Sequence, residues 1–217
     1  THSSQALMNP IYDSALASSL AELLDTDAIH FTRPDAAVPN PEALRASSLP
    51  AAFIAQQFGI GGTHYTIDAA CASSLYAVGL ACKYLQSGHA NVMLAGAVNA
   101  ADPLFVNMGF THFGAYPTED GGSRPLDANS QGLVNGEGAA MFVLKRLEDA
   151  QRDGDKIYAV IAGVGLANDG RGRHPLTPNP RGQLLALERA YTDILPSDVQ
   201  YVECHASGTP VGDRTEI

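Results

Sequence analysis

Two side chains in this sequence have the types and settings that nucleophilic catalysis needs. Cys71 follows a short turn-like segment and precedes a run of small and aliphatic residues with helical spacing. A thiol at the start of a helix faces the positive end of the helix dipole and free backbone N–H groups, which favour the nucleophilic thiolate. His205 follows an apolar run and precedes a glycine-containing loop. From such a position its ring can donate a hydrogen bond to an oxygen that gains negative charge.

Each of these residues also has a plainer interpretation. Cys71 is equally compatible with a buried cysteine in an alanine-rich helix, and Cys82 is interpreted in that way. A single histidine on a strand is more often structural than catalytic. Cys204, next to His205, is a rival nucleophile, but neighbouring residues on a strand point to opposite faces, so we discount it.

The elements that must position these residues follow from hydrophobic spacing and from glycine and proline. Helices are predicted at 6–24, 41–58, 72–86 and 181–191, with Gly59 and Gly88 as stops. Strands are predicted at 63–67, 91–98, 139–145, 156–167 and 199–204, and the middle three are apolar enough to be buried on both faces. Alternating helices and apolar strands indicate an α/β layered architecture, with Cys71 at a strand-to-helix junction.

Composition limits the classes of function. The 217 residues are 45% hydrophobic and 17% charged, which is typical of a globular chain. A net charge of −10 argues against a nucleic-acid surface. The sequence has neither an apolar run of membrane-spanning length nor the layout of a signal peptide, and its three cysteines are predicted to be reduced. We therefore expect a soluble, cytoplasmic protein without a membrane span.

Several other site types are disfavoured by the residue patterns. The glycines at 132, 136 and 138 do not form a nucleotide-binding fingerprint, and no H-E-x-x-H or C-x-x-C predicts a metal site. A paired-carboxylate hydrolase would use Asp127, Glu137 or Asp213. We expect these carboxylates instead to form structural ion pairs or loop-tying hydrogen bonds, for instance with Arg124 or Lys145.

Five segments together resemble the β-ketoacyl synthases, or ketosynthases. DAACASSLYA (68–77) is similar to their active-site segment, D-x-A-C-[SA]-[SA]-S-L, and SRPLD (123–127) resembles R-P-F-D. NGEGA (135–139) with LKRLEDA (144–150) resembles G-E-G followed by L-K-R-L-x-D-A. VECHASGTPVGDRTE (202–216) is similar to V-E-x-H-[GA]-T-G-T-x-x-G-D-x-x-E. Within the family, the residues of these segments look closest to those of ketosynthases from polyunsaturated fatty acid synthases and iterative polyketide synthases.

The resemblance implies a thiolase-like α/β fold and a role for four residues. Cys71 would be the acyl-accepting nucleophile and His205 one of the two histidines of the Cys-His-His site. Ser207 and Thr209 match the hydroxyls that hydrogen-bond the phosphopantetheine arm of the carrier protein, with Ser207 in place of the usual threonine. The apolar and aromatic residues between Met108 and Tyr116 would lie near the dimer interface and acyl pocket, or belong to the ordinary core.

The matching segments account for the middle of a ketosynthase. We expect residues 1–217 to form a partial ketosynthase domain, without the opening strand and helix, the catalytic lysine, the second histidine and the Gly-Phe loop. The implied activity is acyl transfer to Cys71 followed by decarboxylative condensation with malonyl carrier protein. No cofactor would be bound by the domain itself.

The implied partners are an acyl carrier protein, a second identical domain and the rest of a multidomain synthase. One alternative is a non-elongating or silent ketosynthase that only binds or transfers acyl groups. A thiolase using coenzyme A is disfavoured by the segment around His205, and a non-enzymatic scaffold is the weakest alternative.

Overall fold

The computed structural model describes residues 49–99, 104–119, 121–172 and 177–217. By its internal contacts the chain divides into two units, Thr1–Leu49 and Pro50–Ile217, and nearly all described residues belong to the second. The helix predicted at 6–24 and the first part of the helix predicted at 41–58 lie outside the described residues. No helix among those described is long and apolar enough to cross a membrane.

The described residues contain six α-helices and two strands. The helices are α1 Leu49–Gln57, α2 Ser73–Gln86, α3 Leu104–His112, α4 Leu147–Asp153, α5 Pro180–Ala190 and α6 Pro210–Glu216. The strands are β1 Val92–Asn99 and β2 Gly138–Lys145, and 3-10 turns occupy Ala70–Ala72 and Pro196–Asp198. The helices predicted around α2 and α5 are confirmed almost to the residue. The chain leaves α1 and α2 through Gly59 and Gly88 at φ +62° and +74°, as the glycines predicted.

The two strands form an antiparallel ribbon whose register runs from Val92 opposite Lys145 to Asn99 opposite Gly138. Both strands were predicted from their apolar sequence. The prediction that these strands are buried on both faces is wrong for the described residues, because β1 packs on α2 along one side only. On the other side Val98 remains 69% exposed and Val143 73% exposed.

The core of the described residues lies between α2 and this ribbon. It is made of small and aliphatic side chains, chiefly Ala81, Leu85 and Ala95. Arg146 directly follows β2 and makes hydrogen bonds at the C-terminal end of α2. Its guanidinium donates to Leu85 O and to Ala90 O, each at 2.8 Å. The same guanidinium donates to the Asp149 carboxylate at 2.6 Å. The helix that begins beside Cys71 is therefore fixed at its C-terminal end.

Three predicted strands are not strands in the structure. Residues 63–67, 156–167 and 199–204 have no ladder partner among the described residues. Their β-branched and aromatic residues favour an extended chain, but a strand also needs a neighbour for its backbone groups. Residues 163–166 instead pack against helices. The packing is close, because a Cβ added at Gly79 of α2 would lie 3.1 Å from Val164 Cγ1.

Candidate active site

Cys71 lies in a tight turn that leads directly into α2. The 3-10 turn Ala70–Ala72 ends where α2 begins, and Cys71 is exposed in the middle of it. Ala70, immediately before the cysteine, has a φ of +50°, which a residue with a Cβ seldom adopts. Such strain persists only where the surroundings enforce it, and it is concentrated at functional sites.

Side chains on both sides of the turn enforce that conformation. Asp68 Oδ1 accepts a hydrogen bond from Ala70 N at 2.8 Å. Ser73 Oγ accepts from Ala69 N at 2.9 Å and donates to Ala70 O at 2.7 Å. The aspartate and serine of the D-A-A-C-A-S segment therefore hold the strained residue that precedes the thiol. The predicted junction is confirmed on its helical side, while the segment before it is not a strand.

The other two cysteines are in different environments. Cys82 lies in the middle of α2, where burial raises the pKa of its thiol. Cys204 is half-buried and is not on a strand, so the argument that strand neighbours point to opposite faces does not apply to it. All three cysteines are free.

His205 is held through its backbone by a glutamate of the following helix. His205 N and Ala206 N donate to the two carboxylate oxygens of Glu216, at 2.6 Å and 2.8 Å. Ala206 has a φ of +44°, so a second strained residue adjoins a candidate catalytic side chain. The His205 ring is exposed and makes no hydrogen bond to the described residues.

Ser207 and Thr209 place their hydroxyls side by side. Ser207 Oγ and Thr209 Oγ1 are 2.9 Å apart, and Thr209 N donates to Ser207 Oγ at 3.3 Å. Both residues are half-buried. The pair lies against the first turn of α6, where a Cβ added at Gly212 would come within 2.5 Å of Thr209 Oγ1 and 2.9 Å of Ser207 Oγ.

Asp213 joins this loop to a distant segment of the chain. Asp213 is only 5% exposed. Its carboxylate accepts hydrogen bonds from Gly208 N at 3.0 Å and from Leu126 N at 2.7 Å. Leu126 has a φ of +65°. The loop-tying role expected of Asp213 is confirmed, although its donors are backbone N–H groups and neither Arg124 nor Lys145. Lys145 instead pairs with Asp153 and Asp155.

Three of the four predicted site residues therefore share one loop, and Cys71 lies on a separate turn. No hydrogen bond among the described residues connects that turn to the loop of His205, Ser207 and Thr209. The supporting role of Glu216 was missed, although Glu216 belongs to the segment that signalled the site. In the described part of the chain, no three side chains of metal-binding type come together.

The apolar and aromatic segment between Met108 and Tyr116 is held in place by ring contacts and hydrogen bonds. The rings of Phe110 and Tyr116 are 5.8 Å apart between centroids. Tyr116 Oη donates to Asn107 Oδ1 at 2.6 Å and accepts from Asn135 Nδ2 at 2.7 Å. Met108 remains exposed. An acyl pocket and ordinary packing are both compatible with this arrangement.

Comparison with known families decides between the interpretations. Residues 13–150 match the family model described as beta-ketoacyl synthase, N-terminal domain, and residues 158–217 match the one described as beta-ketoacyl synthase, C-terminal domain. The chain belongs to the β-ketoacyl synthase family. The five resembling segments all fall within these two matched ranges, and the thiolase and scaffold alternatives lose their support.

Individual ketosynthase relatives agree with the subgroup predicted from the motifs. A polyunsaturated fatty acid synthase polypeptide from Thraustochytrium sp. is 44% identical over 95% of this chain and 10% of its own length. A phenolphthiocerol/phthiocerol polyketide synthase polypeptide from Mycobacterium bovis is 45% identical over 71% of this chain and 8% of its own length. The chain therefore spans about a tenth of the curated relatives that it matches.

Solved ketosynthases share its fold. A structure described as a PfaC keto synthase-chain length factor matches with a TM-score of 0.75 and 60% identity, covering 78% of this chain and 18% of that one. The ketosynthase from module 6 of the bacillaene synthase of Bacillus subtilis 168 matches with a TM-score of 0.73 and 34% identity, covering 76% of this chain and 30% of that one. The predicted thiolase-like α/β fold is confirmed.

Proposed function

We propose that this chain carries the acyl-accepting part of a ketosynthase site, with Cys71 as the nucleophile. The observation that carries the proposal is the turn before α2, where the strained Ala70 is held by Asp68 and Ser73 and the thiol beside it is exposed. A merely structural cysteine in a helix needs neither strain nor exposure. Membership of the ketosynthase family supplies the class of reaction.

The first step is transfer of an acyl group between thiols. The Cys71 thiolate attacks the carbonyl carbon of an acyl-phosphopantetheine thioester, a new Sγ–C bond forms, and the C–S bond to phosphopantetheine breaks. The departing phosphopantetheine thiolate takes up the proton that Cys71 gave up. The paired hydroxyls of Ser207 and Thr209, 2.9 Å apart, are the groups that hydrogen-bond the phosphopantetheine arm.

The second step is decarboxylative condensation. The malonyl thioester loses its carboxylate as carbon dioxide, and the electron pair of the broken C–C bond passes to the enolate. His205 donates a hydrogen bond to the thioester oxygen on which this charge develops. The enolate carbon then attacks the acyl carbonyl on Cys71, and the cysteine thiolate leaves. In the family, a second histidine and a lysine take part in this step.

The partners follow from the same chemistry. The acyl and malonyl groups arrive on acyl carrier proteins, and a type II polyketide ketosynthase that resembles this chain was solved with its acyl-carrier protein. The chain is a part of a ketosynthase domain that pairs with an identical domain within a larger cytoplasmic synthase. The domain itself binds no cofactor, because the phosphopantetheine belongs to the carrier protein.

The experiment that tests this function is intact-protein mass spectrometry of the chain after incubation with an acyl-phosphopantetheine thioester. The expected result is one acyl adduct in the wild type and in the matched controls Cys82→Ala and Cys204→Ala, and none in Cys71→Ala. An adduct that persists in Cys71→Ala and disappears in Cys204→Ala would make Cys204 the nucleophile. An adduct on Cys71 that full-length enzyme never passes on to malonyl carrier protein would indicate the non-elongating alternative.

A further inference from the structure

Ser130 is a buried hydroxyl at the centre of the contact between two loops. The residue is 4% exposed. Its Oγ donates to Gly208 O at 2.6 Å and accepts from Arg124 N at 3.0 Å. A serine hydroxyl has one hydrogen to donate, so its single donor bond is given to the loop that carries the candidate site.

The position of Gly208 makes this bond consequential. Gly208 lies between Ser207 and Thr209 and has a φ of +78°. A Cβ added to it would come within 2.5 Å of Gly132 O and 3.1 Å of Ser123 Oγ. The backbone between the two hydroxyls is therefore pressed against residues 123–132, and its carbonyl is oriented by Ser130.

Asp213 holds the other side of the same residue. It accepts from Gly208 N, while Ser130 donates to Gly208 O, so both backbone polar groups of Gly208 are fixed by buried side chains. Without the Ser130 hydroxyl, the buried Gly208 carbonyl would lose this partner, and the part-buried Arg124 N–H would lose its acceptor; a buried unsatisfied group is costly. The loop would relieve this by moving, and the hydroxyls of Ser207 and Thr209 would move with it.

We propose that Ser130 is a positioning residue for the Ser207–Thr209 hydroxyl pair. Ser130 lies within the family match but between the short motifs at 123–127 and 135–139, so the motifs did not single it out. The inference rests on the proposed function, in which this hydroxyl pair binds the phosphopantetheine arm. It assigns to Ser130 no contact with substrate.

The test compares Ser130→Ala with Ser123→Ala in the full chain. Ser123 is a matched control because it lies on the same segment and faces Gly208, but its hydroxyl makes no hydrogen bond to the described residues. Three quantities are measured for each variant. They are amide hydrogen exchange over residues 203–213, the concentration dependence of Cys71 acylation by an acyl-phosphopantetheine thioester, and the rate of Cys71 alkylation by iodoacetamide.

For Ser130→Ala we expect faster exchange at residues 206–209 and a KM for the thioester raised about threefold to tenfold, in line with the loss of one buried hydrogen bond. The saturating acylation rate and the alkylation rate stay at wild-type values, because iodoacetamide does not use the phosphopantetheine arm. Ser123→Ala leaves all three quantities unchanged. A merely structural role would not raise the KM selectively.

Unchanged exchange at residues 206–209 in Ser130→Ala overturns the inference, as does a KM that stays at the wild-type value. A parallel fall in acylation and alkylation rates overturns it too, since it would indicate general damage. If Ser130→Ala exchanges faster but the wild type is itself never acylated, the proposed function fails, and the assignment of this loop to phosphopantetheine fails with it.

Discussion

The carboxylate of Glu216 accepts hydrogen bonds from two consecutive backbone N–H groups, those of His205 and Ala206. The bond from His205 N is 2.6 Å long and spans 11 residues of sequence. One side chain of α6 therefore fixes the backbone on which the candidate catalytic ring is mounted, and leaves the ring itself open to a ligand.

Replacement of Glu216 by glutamine is expected to loosen the backbone at His205 and Ala206. An amide group has one acceptor oxygen, so Glu216→Gln loses one of the two bonds, and we expect the free energy of unfolding to fall by about 1 to 3 kcal/mol. Condensation by full-length enzyme should fall with it, whereas alkylation of Cys71 should not. Chemical denaturation and a malonyl-dependent condensation assay measure these effects. The control is Glu203→Gln, since Glu203 is exposed and its carboxylate accepts from the nearby Tyr201 hydroxyl; an equal loss in the control would contradict this account.

The three cysteines are expected to differ in reactivity. Cys71 is exposed, while burial raises the pKa of Cys82, so that less of its thiolate exists at a given pH. With limiting iodoacetamide at a mildly alkaline pH, peptide mapping should find Cys71 alkylated first and Cys82 last. Raising the pH should accelerate the alkylation of Cys82, because more of its thiolate then forms. Early alkylation of Cys82 in the folded chain would contradict the burial of its thiol in α2.

Gly212→Ala is expected to affect ligand binding more than stability. The added Cβ would lie within 2.5 Å of Thr209 Oγ1 and must displace the paired hydroxyls, while alanine itself is a better helix former than glycine. We expect a KM for the acyl-phosphopantetheine thioester raised severalfold, with little loss of unfolding free energy.

Gly109→Ala in α3 is the matched control for that substitution, because an added Cβ there meets nothing within 4 Å. It should stabilise the chain by about 0.5 to 1 kcal/mol and leave the KM unchanged. If both alanine variants bind the thioester like the wild type, the hydroxyl pair is not part of the binding site.

The ion pairs around α4 predict a loss of stability in strong acid. Hydrogen bonds from Arg152 and then from Lys145 lower the pKa of Asp153 from 3.8 to about 2. Because the folded-state pKa is the lower one, this stabilisation is fully present above about pH 4 and is lost as the pH falls through about 2. Thermal melts across this acid range should show a shallower decline for Asp153→Asn than for the wild type. Asp198→Asn, outside this cluster, should follow the wild-type curve.

The sequence by itself determined the features that depend on neighbouring residues. The turn at Cys71, helix α2 and its stop at Gly88 follow from side chains a few residues apart, and so do the apolar runs that became β1 and β2. The five matching segments also determined the family, because their order and spacing can be read directly from the sequence. The short helices α3, α4 and α6 were not predicted, since nine residues or fewer give too little periodicity.

Only the tertiary structure decided which distant groups meet. Segments such as 156–167 and 199–204 have the composition of strands, but a ladder requires a partner that composition does not specify. The contact between Asp213 and Leu126 spans 87 residues, and that between Ser130 and Gly208 spans 78. Both depend on buried polar groups finding each other once water is excluded, which is a property of packing and not of local sequence.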